Sequence, residues 1–508
     1  MTQKYIEKIL SARVYDVAIE SPLDYAKRLS ARLDNQILLK REDLQPVFSF
    51  KLRGAYNKLY QLKLRKPNLK GVIAASAGNH AQGLALAASQ LGVKATIVMP
   101  KTTPKIKVDS VRSYGAKAVL VGDTYDEAAE YAQQRVEEEG LEYIHPYDDP
   151  DVIAGQGTVA VEILRQYTDD IDAIFIPVGG GGLIAGMAAF IKYLRPQVKV
   201  IGVEPADAAC LAAAFEKNRR VVLNQVGLFA DGVAVKQIGR ETWRVAKQVV
   251  DEVITVSTDE ICAAIKDIFD DTRSIMEPAG ALAVAGIKKY VEEKKVSGQT
   301  LIAVNSGANM NFDRLRHVSE RAELGEYREG LIGVTIPEEP GSFLRFCRLI
   351  GKKGITEFNY RYSDNETAHV FAGIQLAEGL AELDLLVKKL EDKNYPVLSM
   401  SDNEMAKLHV RHMVGGHANK IENEVLYRFQ FPERPGALLD FLAHIGKRWN
   451  ISLFHYRNHG AAFGRVLVGL QVQVNERKEV KTFLDELGYR WWDESENEAY
   501  KMFLGPAS

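Results

Sequence analysis

Residues Ile171–Leu194 read IDAIFIPVGGGGLIAGMAAFIKYL. A short apolar run rich in Ile and Val is interrupted by four consecutive glycines, Gly179 to Gly182, and then resumes with apolar residues at helical spacing. The pattern predicts a buried strand, a tight turn and a helix. The first N–H groups of such a helix have no intrahelical partner and stand at the positive end of its dipole, so a phosphate is their natural occupant. Glycine suits the turn because a Cβ would hold an anion away from those amides. The alternative is a turn that is merely tight.

On its own the stretch points to a dinucleotide. Gly180, Gly182 and Ala185 fit G-x-G-x-x-A, and Glu204 closes the next apparent strand, KVIGVEP, where an acid meets a ribose hydroxyl. The remainder of the chain argues against that reading.

At 508 residues the chain exceeds one core and predicts two to four domains. It is 46% hydrophobic and 26% charged, with a formal net charge of −2, which gives no basic excess for nucleic acid and no acidic tail. Cys210, Cys262 and Cys347 are widely spaced and odd in number, unlike a disulfide framework or zinc cluster, and fit a reducing compartment. No signal-peptide core or membrane-spanning stretch is visible, so a cytoplasmic protein without a membrane partner is expected, unless an unseen signal imports it.

Working outward, residues 1 to about 35 read as helical, with Tyr5, Ile6, Ile9 and Leu10 on one face. In SFKLRGAYNKLYQL, Ser49 is placed to cap a helix that carries Lys51 on its first turn. The residues around Lys51 are apolar or small, and desolvation would make its amine a nucleophile or base; a solvated lysine is the alternative. GVIAAS predicts a buried strand, and in SAGNHAQG the residues Ser76, Gly78 and Asn79 form a second amide-rich turn, suited to a carboxylate or to simple capping. His80 has no partner at ligand spacing and reads as a helix-entry residue rather than a metal ligand. Strands KATIVMP, AKAVLVG, EYIHP, KVIGVEP, DEVITV and TLIAVN alternate with helices, one of them beginning near Thr158. Such alternation predicts an α/β fold with a parallel sheet covered on both faces, its ligands at the carboxyl ends of the strands. The turns at 76–79, 179–182 and 306–309 each follow a predicted strand, so all three can face one cleft.

The last third is an internal repeat. IGVTIPEEPGSFLRFCRLIGKKGITEFNYRY is echoed by YRFQFPERPGALLDFLAHIGKRWNISLFHYRN. Pro340 and Gly341 answer to Pro435 and Gly436, Tyr360 to Tyr456, and Gly373 to Gly469. Each unit reads strand, Pro-Gly turn, helix, strand, strand. The expected domains are 1–320 (with a smaller subdomain at about 44–148), a linker at 321–329, and repeats at 330–402 and 425–502.

With SFKLRGA, SAGNHAQG, PVGGGGL and NSGANMN present in that order, roughly residues 1–320 resemble the pyridoxal-phosphate enzymes of the tryptophan-synthase-β type, specifically the serine/threonine dehydratases. The doubled tail is similar to the paired ACT-like regulatory domains of the biosynthetic threonine dehydratases. The resemblance implies that Lys51 holds pyridoxal 5'-phosphate as a Schiff base and is the catalytic residue. It implies that Asn79 bonds the ring hydroxyl, that Gly179, Gly180, Gly181, Gly182 and Leu183 wrap the phosphate, and that Ser306 faces the pyridine nitrogen. A hydroxyl there leaves the nitrogen largely unprotonated, which suits loss of a β-leaving group. Ser76, Ala77, Gly78 and Asn79 would take the substrate carboxylate. The implied activity is conversion of L-threonine, and also L-serine, to a 2-oxo acid and ammonia, as the first step of isoleucine biosynthesis. Isoleucine would inhibit and valine oppose it, with an effector region around Pro340, Gly341, Tyr360, Pro435, Gly436 and Tyr456, in a homotetramer.

Two departures narrow the choice. Ala77 stands where the similar serine racemases carry a second serine, which argues against racemisation. Cys210 stands where those relatives use an acidic cation ligand, so no divalent metal is expected there. The competing readings are a nicotinamide dehydrogenase, a serine/threonine dehydratase without isoleucine control, and a non-catalytic amino-acid sensor.

Overall fold

The computed structural model describes residues 2–337, 346, 349–350, 353, 355–361, 367–412, 423–432, 449–457 and 463–504. The chain divides into two units, Met1–Ala322 and Glu323–Ser508.

The first unit holds two largely parallel sheets, in keeping with the parallel α/β fold that the alternation of strands and helices predicted. The larger has six strands in the order β1-β2-β10-β7-β8-β9: β1 Leu23–Tyr25, β2 Gln36–Arg41, β7 Ala173–Pro177, β8 Lys199–Pro205, β9 Glu252–Val256 and β10 Thr300–Asn305. Only β1 runs antiparallel, against β2. The smaller sheet is wholly parallel, in the order β5-β4-β3-β6: β3 Val72–Ala75, β4 Ala95–Met99, β5 Lys117–Leu120 and β6 Glu142–Tyr143. Strands β3, β7 and β10 are buried along almost their whole length, as parallel strands covered on both faces must be. Separate apolar cores form on the two sides of the larger sheet, and another lies under the smaller one.

Several local expectations are corrected. Residues 1 to about 35 are not one helical stretch: helices Thr2–Leu10 and Lys27–Leu33 flank β1, and Leu10 is exposed while Tyr5, Ile6 and Ile9 are buried. Thr158 lies inside a helix that starts at Pro150, because Asp149 caps it by accepting from Asp151 N at 2.8 Å and Val152 N at 3.3 Å. The expected linker 321–329 is helical through Gly325, as part of helix Arg314–Gly325, since Val318 and Ala322 find apolar partners in the core.

In the second unit each repeat is a four-stranded antiparallel sheet. The first contains β11 Glu329–Pro337, β12 Ile355–Arg361, β13 Thr367–Gln375 and β14 Val397–Ser399, in the order β12-β13-β11-β14. The second contains β15 Glu424–Pro432, β16 Asn450–Arg457, β17 Phe463–Gln471 and β18 Arg490–Asp493, in the order β16-β17-β15-β18. Each repeat adds a helix and a short strand beyond the repeat pattern, Leu380–Glu391 before β14 and Arg477–Glu486 before β18. The register breaks at the same place in both, opposite Gly373 and Gly469. Leu331 N donates to Ser401 Oγ and Leu426 N to Ser495 Oγ, both at 3.0 Å. Asn403 and Asn497 each cap a following helix, and Asn403 Nδ2 donates to Asn497 Oδ1 at 3.3 Å, which links equivalent positions of the two repeats. One apolar cluster joins them, including Leu331, Phe371 and Met400 from one repeat and Leu426, Leu467 and Phe503 from the other.

Candidate active site

Lys51 reaches the site through the segment after β2. Ser49 bridges to Gly307, and Phe50 N donates to Ser306 O at 3.3 Å, so the start of helix Lys51–Arg65 is pinned beside the end of β10. Phe48 takes φ 55°, a left-handed conformation that an L side chain adopts at a cost, to make that approach. Ser49 does not cap the helix. The capping position is Phe50, in helical conformation and without a side-chain bond, because Ser49 is committed to the bridge; its buried hydroxyl has no partner. Burial holds the Lys51 amine down at about 8, with the Glu277 charge acting the other way. Lys51 Nζ donates to Pro146 O at 3.5 Å.

The second turn follows β3. Ser76 Oγ accepts from Gly78 N at 3.3 Å, and helix Asn79–Leu91 begins directly after it. Gly78 has open space where a Cβ would stand, and Ala77 is half-buried, so this turn borders free volume. Gly83 brings this helix onto the Lys51 helix: a Cβ there would stand 2.9 Å from Leu52 N and 3.0 Å from Lys51 C. His80 serves locally, with Nε2 2.9 Å from Ile144 O, and burial followed by the Lys51 charge holds its ring down at about 3.

Asn79 is gripped at both ends of its amide. Nδ2 donates to Glu277 Oε1 at 2.5 Å, and Oδ1 accepts from Asn309 Nδ2 at 2.7 Å. Glu277 precedes helix Pro278–Lys294 and is fully enclosed; burial, then the charge of Asp231, pushes its carboxyl up to about 7. Burial works against ionisation of Asp231, but Lys107 and Arg314 hold that carboxyl well below the usual range; Lys107 Nζ stands 2.8 Å from it.

The glycine turn follows β7 and opens helix Gly182–Leu194. Gly181 has φ 90°, which glycine alone adopts freely. A Cβ on Gly180 would fall 2.2 Å from the Tyr147 ring, and one on Gly179 2.9 Å from Val233 Cα. Thr242 Oγ1 donates to Gly180 O at 2.8 Å and Cys210 Sγ to Gly179 O at 3.4 Å, so those carbonyls are tied back. Leu183 is buried on the first turn of the helix. Ser306, at the end of β10, is buried and donates to Ala279 O at 3.3 Å.

These contacts join the turns. Asn309 links the turn after β10 to the one after β3, and Gly307 links it to Ser49 beside Lys51. Val233 packs on Gly179, while a Cβ on its neighbour Gly232 would lie 3.5 Å from Glu277 Oε1 and 3.8 Å from Asn79 Nδ2. The residues present suit pyridoxal phosphate: a cradle where side chains would clash, a desolvated amine, an oriented amide and a neutral hydroxyl.

Glu204 does not serve a ribose. Its carboxylate accepts from Leu211 N at 2.8 Å and Ala212 N at 2.9 Å, capping helix Cys210–Lys217, and burial pushes it up to about 7 against those bonds. Cys210 is buried and packs beneath the glycine turn. Among the described residues no group of three or more His, Cys, Asp or Glu side chains could hold a metal ion. Of the effector region, Pro340, Gly341, Pro435 and Gly436 lie outside the described residues, as does Cys347, while Tyr360 and Tyr456 fall on β12 and β16. The sequence reading missed Glu277, Asp231 and Tyr147. Only Glu277 left a trace, a lone acid before Pro278 at the head of the apolar run PAGALAVAG.

Residues 14–307 match the family of pyridoxal-phosphate dependent enzymes, and residues 320–410 and 415–504 each match the C-terminal regulatory domain of threonine dehydratase. The chain is 54% identical to the L-threonine dehydratase biosynthetic IlvA of Burkholderia multivorans, over 98% of this chain and 99% of that one. It is 52% identical to the protein of the same name from Escherichia coli, over 99% and 97%. The processed form of threonine deaminase isoform 2 from Solanum lycopersicum superimposes with a TM-score of 0.62 at 52% identity, over 64% of this chain and 88% of that one. With the glycine cradle, the buried lysine and the doubled tail all present, this chain belongs to the biosynthetic threonine dehydratase family of pyridoxal-phosphate dependent enzymes.

Proposed function

We propose that the protein converts L-threonine to 2-oxobutanoate and ammonia, and accepts L-serine as well, at the commitment step of isoleucine biosynthesis. The observation that carries this reading is the convergence of the Lys51 amine, the doubly gripped Asn79 amide and the glycine turn in a unit followed by two regulatory repeats.

Pyridoxal phosphate, when bound, supplies a sink for the electron pair left at the substrate Cα. Lys51 Nζ would hold the cofactor and, as a free amine, would take the Cα proton. An amine held near 8 carries a lone pair in a useful fraction of molecules at neutral pH, where an ordinary lysine does not. The N–H groups of Gly179 to Leu183 would receive the phosphate, and Asn79 would orient the ring by bonding the ring hydroxyl. Ser306 would face the pyridine nitrogen with a neutral hydroxyl, which would favour departure of the β-hydroxyl over transamination. The turn from Ser76 to Asn79 receives the substrate carboxylate.

The regulatory repeats bind isoleucine as inhibitor and valine as its antagonist, in a homotetramer working in the cytoplasm. No helix among the described residues is long and apolar enough to cross a membrane. The test is 2-oxobutanoate formation by the reconstituted protein with and without isoleucine, alongside Lys51→Ala. Turnover lost in the variant and suppressed by isoleucine in the wild type is expected. Normal turnover by Lys51→Ala would remove the assignment of Lys51, and indifference to isoleucine would favour a dehydratase without that control.

A further inference from the structure

Arg53 stands two residues beyond Lys51, about 200° round the helix, and its side chain is fully buried. Its guanidinium is held from two sides. Nε and Nη2 each donate at 2.8 Å to the two oxygens of Glu42, while Nη1 and Nη2 donate at 2.6 and 3.0 Å to those of Glu162. Nη1 also reaches Thr158 Oγ1 and Nη2 reaches Ile19 O, both at 3.1 Å, so every N–H has an acceptor. Lys40 Nζ, also fully buried, stands 2.7 Å from Glu162 and donates to Ser21 O at 2.6 Å, which balances two cations against two carboxylates. Tyr15 and Ser21 bond the same carboxylates, at 2.9 and 2.6 Å. Four pieces of chain therefore meet at Arg53: the N-terminal segment, β2 and the turn after it, the Lys51 helix, and helix Pro150–Gln166.

Backbone ties already hold the start of the Lys51 helix, with Phe50 N donating to Ser306 O at 3.3 Å and Gly54 N to Gln156 Oε1 at 3.1 Å, and Arg53 adds the side-chain bonds of the first turn to them. Phe50 caps it without a side-chain bond, its first turn has no acidic residue, and the hydroxyl of Ser49 is unengaged. A lysine cation at a helix N-terminus is opposed by the dipole rather than steadied by it. Paired planar forks fix orientation as well as distance, because both carboxylates must stay in the guanidinium plane.

We propose that Arg53 is a positioning residue for the reaction: its two-sided fork onto Glu42 and Glu162 sets the rotation of the Lys51 helix and thereby the direction in which the Lys51 amine meets the cofactor aldehyde. This rests on Lys51 being the cofactor-bearing lysine.

The test uses the full chain, stripped of cofactor and then mixed with pyridoxal phosphate at a temperature where each variant is folded by circular dichroism. The rate of covalent capture is read by absorbance, and the adduct is located by borohydride reduction and mass spectrometry. Arg53→Lys keeps the charge and loses the fork. Capture about tenfold slower is expected, with kcat reduced by a similar factor and KM for threonine within about threefold, since misplacing a reacting group by an ångström costs that much or more. A variant that melts earlier yet captures cofactor and turns over like the wild type would overturn the proposal, leaving Arg53 a structural residue. Should Arg53→Lys fail to fold, Thr158→Val decides: it removes one acceptor without changing charge, about two- to fivefold slower capture is expected, and a wild-type rate overturns the proposal. A wild type with no adduct at Lys51 would instead remove the reading of Lys51, and the proposal with it.

Discussion

Asn79 Nδ2 lies 2.5 Å from Glu277 Oε1, a bond between residues 198 positions apart that puts an ionisable proton next to the amide assigned to the cofactor ring. Its acceptor is enclosed, with the Asp231 charge nearby and Lys107 and Arg314 beyond it.

Glu277 makes stability depend on pH. Its carboxyl rises from 4.5 to about 7 in the folded chain through burial first and Asp231 second. A raised folded pKa contributes stability that is present below the unfolded value and is lost as pH rises through the folded one. Glu277→Gln keeps an acceptor for Asn79 and removes the ionisation. Relative to the wild type, the variant should therefore gain stability between pH 5 and pH 8, by up to about 3 kcal/mol. Thermal midpoints of the cofactor-free proteins check this, and a difference that does not change with pH would contradict it.

Gly181→Ala should weaken cofactor binding. At φ 90° an L side chain costs about 1–2 kcal/mol, and the new methyl would stand 2.5 Å from Ile238 Cδ1. Titration of the cofactor-free protein with pyridoxal phosphate should show a Kd raised about tenfold or more. An unchanged Kd would mean that the turn does not hold the phosphate.

Gly83→Ala should act on chemistry through packing. The added Cβ meets backbone atoms of Lys51 and Leu52, which cannot swing aside as a side chain can. A stability loss of about 1–3 kcal/mol and a fall in kcat/KM of about tenfold or more are expected, because the helices carrying Lys51 and Asn79 would be forced apart. Chemical denaturation and steady-state kinetics on the same preparation test both parts.

Asn497→Ala should uncouple control from catalysis. It removes a helix cap, in which Ala499 N donates to Asn497 Oδ1 at 2.9 Å, and the link to Asn403 of the other repeat. The cap is worth about 1 kcal/mol. Turnover without effector should stay within about twofold, while the isoleucine response weakens; an unchanged inhibition curve would show that the Asn403–Asn497 link plays no part in it.

Much of this site is legible in order along the chain. The turns at Ser76–Asn79, Gly179–Gly182 and Ser306–Asn309 could be placed because strand ends, glycine runs and helix starts are local patterns, and each turn follows a strand in the structure. Ser49 misled because its capping chemistry was outweighed by a bridge to Gly307, 258 positions away in number, which no local pattern encodes. The spacing of Glu204 fits a ribose ligand only while its stretch is read alone, and in the structure the backbone of the next helix takes the carboxylate.

From the sequence alone came the residue types, the turns that present amides, the doubling of the tail and the family resemblance, all properties of neighbours within a few positions or of a repeat. Only the tertiary structure decided which distant groups meet: Glu277 against Asn79, Arg53 between Glu42 and Glu162, and Gly83 against Lys51. The physical reason is that hydrogen bonding, desolvation and close packing act through space over a few ångströms, and chain position sets those distances only after the sheets have brought their ends together.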